Sequence, residues 1–262
     1  MAEALRLAER QLADAGVDTP RVDAELLLAH VLGVSRTGVY ANDHEEVPGR
    51  FQVLLGRRCQ REPLAYVLGE WGFRRLTLKA DARALVPRPE TEIVVERCLG
   101  LLRDEREPRV LDLGTGTGAI ALALADEHPG ARVTAVDSSP DAVALARENA
   151  ERLGLAVEVR KGGFEVAAEG WDLVVSNPPY VAPEEWDALQ PEIREWEPRA
   201  ALVGVGLHEQ IAGSADTRRL VLEVGDGQAE DVARSLRELR YTDVTITRDL
   251  TGADRVVDGR RT

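Results

Sequence analysis

No apolar run in this sequence approaches the roughly 18 residues that a membrane-spanning helix needs, so no helical membrane anchor is expected. The opening stretch, Met1 to Gly16, lacks the basic-then-apolar layout of a secretion signal. It places Leu5, Ala8 and Leu12 on one side of an amphipathic helix. Cysteine is scarce: Cys59 and Cys98 sit in helical-looking segments and in no metal-type spacing, which fits a reduced, cytoplasmic setting. His30, His44, His128 and His208 are scattered without carboxylate or cysteine neighbours at ligand spacing, so no metal site is expected. Positive charge is also in deficit, with 33 Lys+Arg against 46 Asp+Glu and a net charge of −13. Phosphate contacts dominate the affinity of proteins for bare nucleic acid, so direct high-affinity binding of nucleic acid is not expected. Arg57-Arg58 and Arg74-Arg75 are the candidates for a local basic stripe.

What is present is enough apolar residue, 44% of 262, for one large or two modest domains. Residues 1–70 carry only helical patterns. Gly16 stops the first helix, Thr19-Pro20 opens a second, and Phe51, Val53, Leu54 and Leu55 mark a third over residues 49–61. Residues 71–88 read as a hairpin linker, with Phe73, Leu76 and Leu78 in short strands ahead of a proline-rich turn. Over 89–262 strands alternate with helices, the pattern of an α/β, Rossmann-like doubly wound sheet. Strands are expected at 109–113, 132–137, 157–160, 172–176, 220–224, 244–247 and 255–258.

The first of these strands runs into LDLGTGTGA, that is, Asp112, Gly114, Thr115, Gly116, Thr117, Gly118 and Ala119. Glycines there permit a tight strand-to-helix turn and a close approach of ligand to backbone. Asp137 ends the next strand about 20 residues on, where a carboxylate can accept hydrogen bonds from ribose hydroxyls. The same loop satisfies a dinucleotide fingerprint, so a nicotinamide-dependent dehydrogenase stays open at this point. Asp112 argues against it. A carboxylate beside a pyrophosphate costs about 4 kcal/mol for unit charges 4 Å apart at an effective dielectric of 20. The same group attracts the ammonium and sulfonium of S-adenosylmethionine. Capping of the loop by Asp112 through backbone amides is the alternative use of that side chain.

WDLVVSNPPY places Asn177 just past an apolar strand, on the edge where open α/β sheets bind ligands. Pro178 and Pro179 fix the backbone and remove two N–H donors, leaving an acceptor-rich corner. Asn177 and the Pro178 carbonyl can each accept one hydrogen of an NH₂ group, while Tyr180 lies against its plane. An amide or aromatic-amine nitrogen is a poor nucleophile. Holding both its hydrogens aims the lone pair at an incoming methyl carbon. The competing reading of Asn-Pro-Pro is a rigid turn.

These motifs, together with Leu85-Val86-Pro87-Arg88-Pro89-Glu90-Thr91-Glu92, Glu197-Pro198-x-x-Ala201-Leu202 and the helical run Asp23 to Ala29, resemble the bacterial release-factor glutamine methyltransferases, the HemK-like family, over almost the whole chain. The resemblance implies S-adenosylmethionine as donor, S-adenosylhomocysteine as product, and the glutamine of the Gly-Gly-Gln motif in class I peptide chain release factors as acceptor. It assigns the cofactor to Gly114 to Gly118 and Asp137, beside the Asp112 argued above, and the glutamine to Asn177, Pro178, Pro179 and Tyr180, with Asn177 in both sets. It places Arg88 near the substrate and gives residues 1–70 a docking role. Where the family usually has an acidic and a bulky residue beside adenine, this chain has Gly162-Gly163-Phe164, so Gly163 and Phe164 take that position. Residues 206–219 are shorter than the family norm and predict a trimmed helix. Asn-Pro-Pro-Tyr is shared with nucleic-acid amino-methyltransferases, which keeps adenine or guanine as the alternative acceptor.

Overall fold

A computed structural model describes residues 1–41 and 47–261, so His44 lies outside the described residues. In chain order the elements begin with helices α1 (Ala2–Asp14), α2 (Pro20–Leu32), α3 (Gly38–Ala41), α4 (Gly49–Cys59) and α5 (Leu64–Leu68). A hairpin of β1 (Glu70–Phe73) and β2 (Leu76–Lys79) precedes α6 (Thr91–Leu102), β3 (Arg109–Leu113), α7 (Ala119–Glu127), β4 (Arg132–Asp137), α8 (Pro140–Leu153), β5 (Val157–Lys161) and β6 (Leu173–Ser176). The remainder is α9 (Pro191–Trp196), α10 (Leu207–Ser214), β7 (Arg219–Glu223), α11 (Ala229–Glu238), β8 (Thr242–Arg248) and β9 (Asp254–Arg260). None of these helices is long and apolar enough to cross a membrane.

The chain folds as two compact units. The first comprises Met1–Glu70 together with Leu189–Trp196, so α9 joins helices that precede it by more than a hundred positions. Leu5, Ala8 and Leu12 of α1 pack on Leu27 and Leu28 of α2 and on Phe51, Leu54 and Leu55 of α4. Pro20 opens α2 and a left-handed Gly33 closes it, as the sequence signals require. Not legible was that α2 buries Asp23 and Glu25 while Val22, Leu26 and Leu32 stay half-buried. The reason is ionic. Arg58 donates to Asp23 Oδ2 at 2.7 Å and to Glu192 of α9 at 2.8 Å, and Arg61 donates to the same Glu192. Glu25 accepts from Arg21, Arg36 and Tyr40, which hold its carboxyl at about 2 against the cost of burial.

The second unit comprises Trp71–Ala188 and Glu197–Thr262. Its seven-stranded sheet has the order β5-β4-β3-β6-β7-β9-β8, parallel except where β9 runs antiparallel to β7 and β8. Strands buried on both faces read as continuous apolar runs, which is how β3, β6 and β7 appear in the sequence. The β1–β2 hairpin belongs to this unit rather than acting as a separate linker: Phe73, Leu76 and Leu78 enter the same core as α6 and α7. The shortened region still forms α10, which buries His208, Ile211 and Ala212 and receives a hydrogen bond from Tyr241 on the Ala212 carbonyl at 3.0 Å.

The arginine pairs do not make a basic stripe. Arg57 is held by Glu62, Arg58 by Asp23 and Glu192, Arg74 by Glu127, and Arg75 by Asp126.

Candidate active site

The sheet changes direction at β3. The chain winds outward through β4 and β5, then returns to place β6 on the other flank of β3. The carboxyl ends of β3 and β6 therefore lie side by side at a switch point, where open α/β sheets bind ligands. Leu113 pairs with Ser176, and the Ser176 hydroxyl donates to the Leu113 carbonyl at 2.7 Å. The next residues out of these strands are Gly114 and Asn177. Both line one cavity of about 420 Å³, together with Gly116, Asp137, Phe164 and Arg88.

Gly114 adopts φ +75, and a Cβ there would meet nothing within 4 Å, so the bare backbone faces open space. Gly118 serves another purpose: at φ +87, a Cβ would strike Leu122 Cδ1 at 2.9 Å, so the turn and the start of α7 both demand glycine. Asp137 braces the loop. One carboxylate oxygen accepts from the Gly116 amide at 3.0 Å and the other from the Ser139 amide at 2.9 Å. A carboxylate has about four acceptor positions, so capacity for ribose hydroxyls is left over. Ser139, not Asp137, caps α8, its hydroxyl accepting from the Ala142 amide at 3.3 Å.

Asp112 serves the capping use of the loop. It does not line the cavity. It is fully buried, and its Oδ2 accepts from the Thr115 hydroxyl and from the Ala121 amide at 3.1 Å, which caps the loop. Its Oδ1 is buried with no partner among the described residues. A cationic ammonium at the glycine loop would satisfy that orphan, so this donor set fits S-adenosylmethionine. Burial pushes the Asp112 carboxyl up to about 7, above the ordinary value near 3.9. A raised carboxyl contributes stability that is complete below the unfolded value and lost as pH rises through about 7. Asp112→Asn is therefore expected to stabilise the ligand-free protein by a few kcal/mol, on the order of three pKa units at 1.36 kcal/mol each, at pH 8 and much less at pH 5. Urea unfolding at the two pH values checks this, and an equal gain at both would refute it. Cofactor affinity should fall in the same variant.

Asn177 is half-buried and donates Nδ2–H to the Thr91 hydroxyl at 3.4 Å. Pro178 is buried and does not line the cavity, whereas Pro179 does. The Pro178 carbonyl receives no hydrogen bond from the described residues. Tyr180 also stands outside the cavity lining. Its ring lies over Gly225, where a Cβ would meet Tyr180 Cδ2 at 2.9 Å, and its carbonyl accepts from Gln228 at 3.0 Å. Burial lifts its phenol to about 12. On the opposite side Gly204 lies against the Pro179 carbonyl, 2.8 Å from where a Cβ would sit. The rigid turn is real, but it is clamped between two glycines at the cavity mouth.

Arg88 lines the cavity and is held by Glu197, whose side chain also accepts from the Val86 amide at 3.2 Å. Burial raises the Glu197 carboxyl, and the Arg88 guanidinium opposes that rise. Of the segment expected beside adenine, Gly162 and Phe164 line the cavity. Gly163 does not line the cavity; its amide turns to Glu165 at 2.8 Å. Sequence reasoning did not single out Thr91, Glu223 or Gly225. Glu223 had a usable signal, being an acidic residue that ends an apolar strand on the ligand edge, as Asp137 does.

Residues 3–69 match the family described as PrmC N-terminal domain, and residues 92–193 match the methyltransferase small domain. Proteins named release factor glutamine methyltransferase are similar nearly end to end. That of Salmonella typhimurium is 42% identical, covering 98% of both chains. That of Deinococcus radiodurans is 41% identical over 98% of this chain and 97% of its own. Among solved structures, the hMettl16 catalytic domain in complex with a MAT2A 3′UTR hairpin superposes with a TM-score of 0.61 at 17% identity, covering 79% and 80% of the two chains. The T. thermophilus 16S rRNA N2 G1207 methyltransferase in complex with AdoMet and guanosine gives 0.54 at 18%, covering 74% and 50%. At such identities the likeness speaks for the fold.

Proposed function

Because this chain belongs to the release factor glutamine methyltransferase family, we propose that the cavity between the glycine loop and Asn177 is where the glutamine amide of a class I release factor takes its methyl group. The reading rests on one observation above all: Asn177, Asp137 and Gly114 line the same cavity at the switch point. Bound there, S-adenosylmethionine supplies an electrophilic methyl carbon and leaves as S-adenosylhomocysteine, while the glutamine nitrogen gains the methyl and releases one proton. Gly114 to Gly118 would receive the donor's backbone-facing side, Asp137 has acceptor capacity for its ribose, and the buried Asp112 carboxylate beside the loop would offset the charge of its ammonium. Phe164, which lines the cavity beside Gly162, would supply the apolar face for the adenine. Asn177 Oδ1 takes a hydrogen of the glutamine NH₂ and Pro179 bounds the site, while Pro178 and Tyr180, outside the lining, hold the turn that presents Asn177, and Arg88, fixed by Glu197, lies beside the substrate. Orientation of this kind is worth up to about 7–11 kcal/mol in well-positioned systems.

The partner on this reading is the release factor itself, in the cytoplasm, with no nucleic acid gripped directly. The net charge of −13 and the paired arginines support it. Tritium from labelled donor should appear in release factor and not in DNA or RNA offered alongside; label confined to nucleic acid would overturn the assignment. The helical unit is given the docking role. Whole factor should then show a KM at least about tenfold below that of a short Gly-Gly-Gln peptide, about 1.4 kcal/mol of binding. Equal KM values would remove the docking role.

A further inference from the structure

Glu223 is a carboxylate in the interior, 1% exposed, and its Oε2 has no hydrogen-bond partner among the described residues. A buried charged oxygen left unpaired is costly, and nothing in the core explains it. Its position does. The parallel register of β6 and β7 ends at Ser176↔Leu222, so the next step along each strand sets Asn177 beside Glu223. Alternation puts both side chains on one face of the sheet. Val175 and Val221, two residues earlier in their strands, belong to the core cluster that also contains α6 residues Val94 and Val95. The first residue of α6 is Thr91, whose hydroxyl accepts from Asn177 Nδ2 at 3.4 Å. The Thr91 hydroxyl and the Asn177 side chain both stand close enough to the carboxylate to stabilise its charge. The backbone at this point is pinned by His208, whose Nε2 lies 2.9 Å from the Glu223 carbonyl oxygen.

An asparagine side chain can face a substrate with either end, since its oxygen and nitrogen differ little in shape. Only the oxygen accepts from an NH₂ group. We propose that Glu223 is a positioning residue for methyl transfer: with the Thr91 hydroxyl it forms an acceptor pair behind Asn177 that draws the Asn177 NH₂ inward and leaves Oδ1 facing the cavity. This rests on the reading of Asn177 given above. An ionised carboxylate only accepts, so it enforces one orientation. Protonated, or replaced by glutamine, it can also donate, and the flipped amide becomes equally acceptable. Burial lifts this carboxyl to about 7, against the pull of Thr91, Arg255 and Asn177 and with help from Glu90. The titratable and charged groups facing it are Glu90 at the head of α6, Tyr180 after β6, Arg255 of β9 and His208 of α10.

The test is single-turnover methylation of release factor at saturating donor. Glu223→Gln should lower the rate about 100-fold, the scale of a misplaced reacting group, with donor Kd within about twofold of the parent. The parent rate should fall with one proton as pH drops through about 7, and that limb should vanish in the variant. Thr91→Val removes the hydroxyl without changing shape and should also slow transfer. The double variant should be no slower than the slower single one, because both break one acceptor pair. Unchanged rates in either single variant, additive losses, or an acid limb that persists in Glu223→Gln would each overturn the proposal. Should Glu223→Gln not fold, the rate and pH profile of Thr91→Val decide alone. A parent protein that labels no release factor would count against the function, whereas an active parent with indifferent variants counts against Glu223 alone.

Discussion

Replacing Asn177 by alanine is expected to lower the rate of methyl transfer by about 10²–10³-fold, the usual cost of removing one fixed polar group that acts on the reacting centre. Donor affinity should stay within a few-fold of the parent, because on the proposed reading most of the donor's contacts are with other lining residues, Gly114, Gly116 and Asp137. The split follows from what the side chain does. On the proposed reading, Asn177 Oδ1 accepts a hydrogen of the glutamine NH₂ and so turns the amide lone pair toward the methyl carbon, which matters most when positive charge develops on nitrogen. Single-turnover kinetics gives the rate and calorimetry gives the affinity. A variant with normal turnover would remove the hydrogen-bonding account. One that loses donor binding and rate together would make Asn177 a cofactor residue only.

Asp137→Ala should do the reverse. Charge-assisted hydrogen bonds contribute about 1.5–3 kcal/mol each, so losing those to the ribose hydroxyls weakens S-adenosylmethionine by about 100-fold or more. The loss is compounded because the same carboxylate accepts from the Gly116 amide at 3.0 Å and the Ser139 amide at 2.9 Å, which hold the loop in its turned form. At saturating donor the transfer rate should recover most of its parent value. Asp137→Asn, which keeps one acceptor oxygen, should fall between. Calorimetric titration settles it, and an unchanged Kd would show that Asp137 only braces the loop.

The two variants concern residues legible in the sequence, and the reason is local. Glycines before a helix, an acidic residue ending a strand and Asn-Pro-Pro after one are patterns whose geometry is set within a few residues. The strands of the sheet were legible for the same reason, since a doubly buried strand is an apolar run. What escaped depends on residues distant in sequence. Asp23 and Glu25 look like the outer face of α2 until Arg58 and Arg36 are brought to them. Glu223 looks like a strand end until Asn177 and Thr91 arrive from other elements. Gly163, adjacent to two lining residues, faces away because its amide is taken by Glu165. Pro178 and Tyr180 were expected at the cavity and stand just outside its lining, packed into the turn that presents Asn177.

The return of Leu189–Trp196 to the helical unit bears on the order in which a growing chain can fold. Arg58 and Arg61 are synthesised more than a hundred residues before Glu192, their shared counter-ion. At ~5–20 residues per second, that gap lasts between several seconds and half a minute. During that interval Arg58 has Asp23 but lacks half of its anionic shell. The ionic cluster of the amino-terminal helices is therefore completed only by sequence made after Asn-Pro-Pro-Tyr, when the ribosome has already written the segment that follows the turn carrying Asn177.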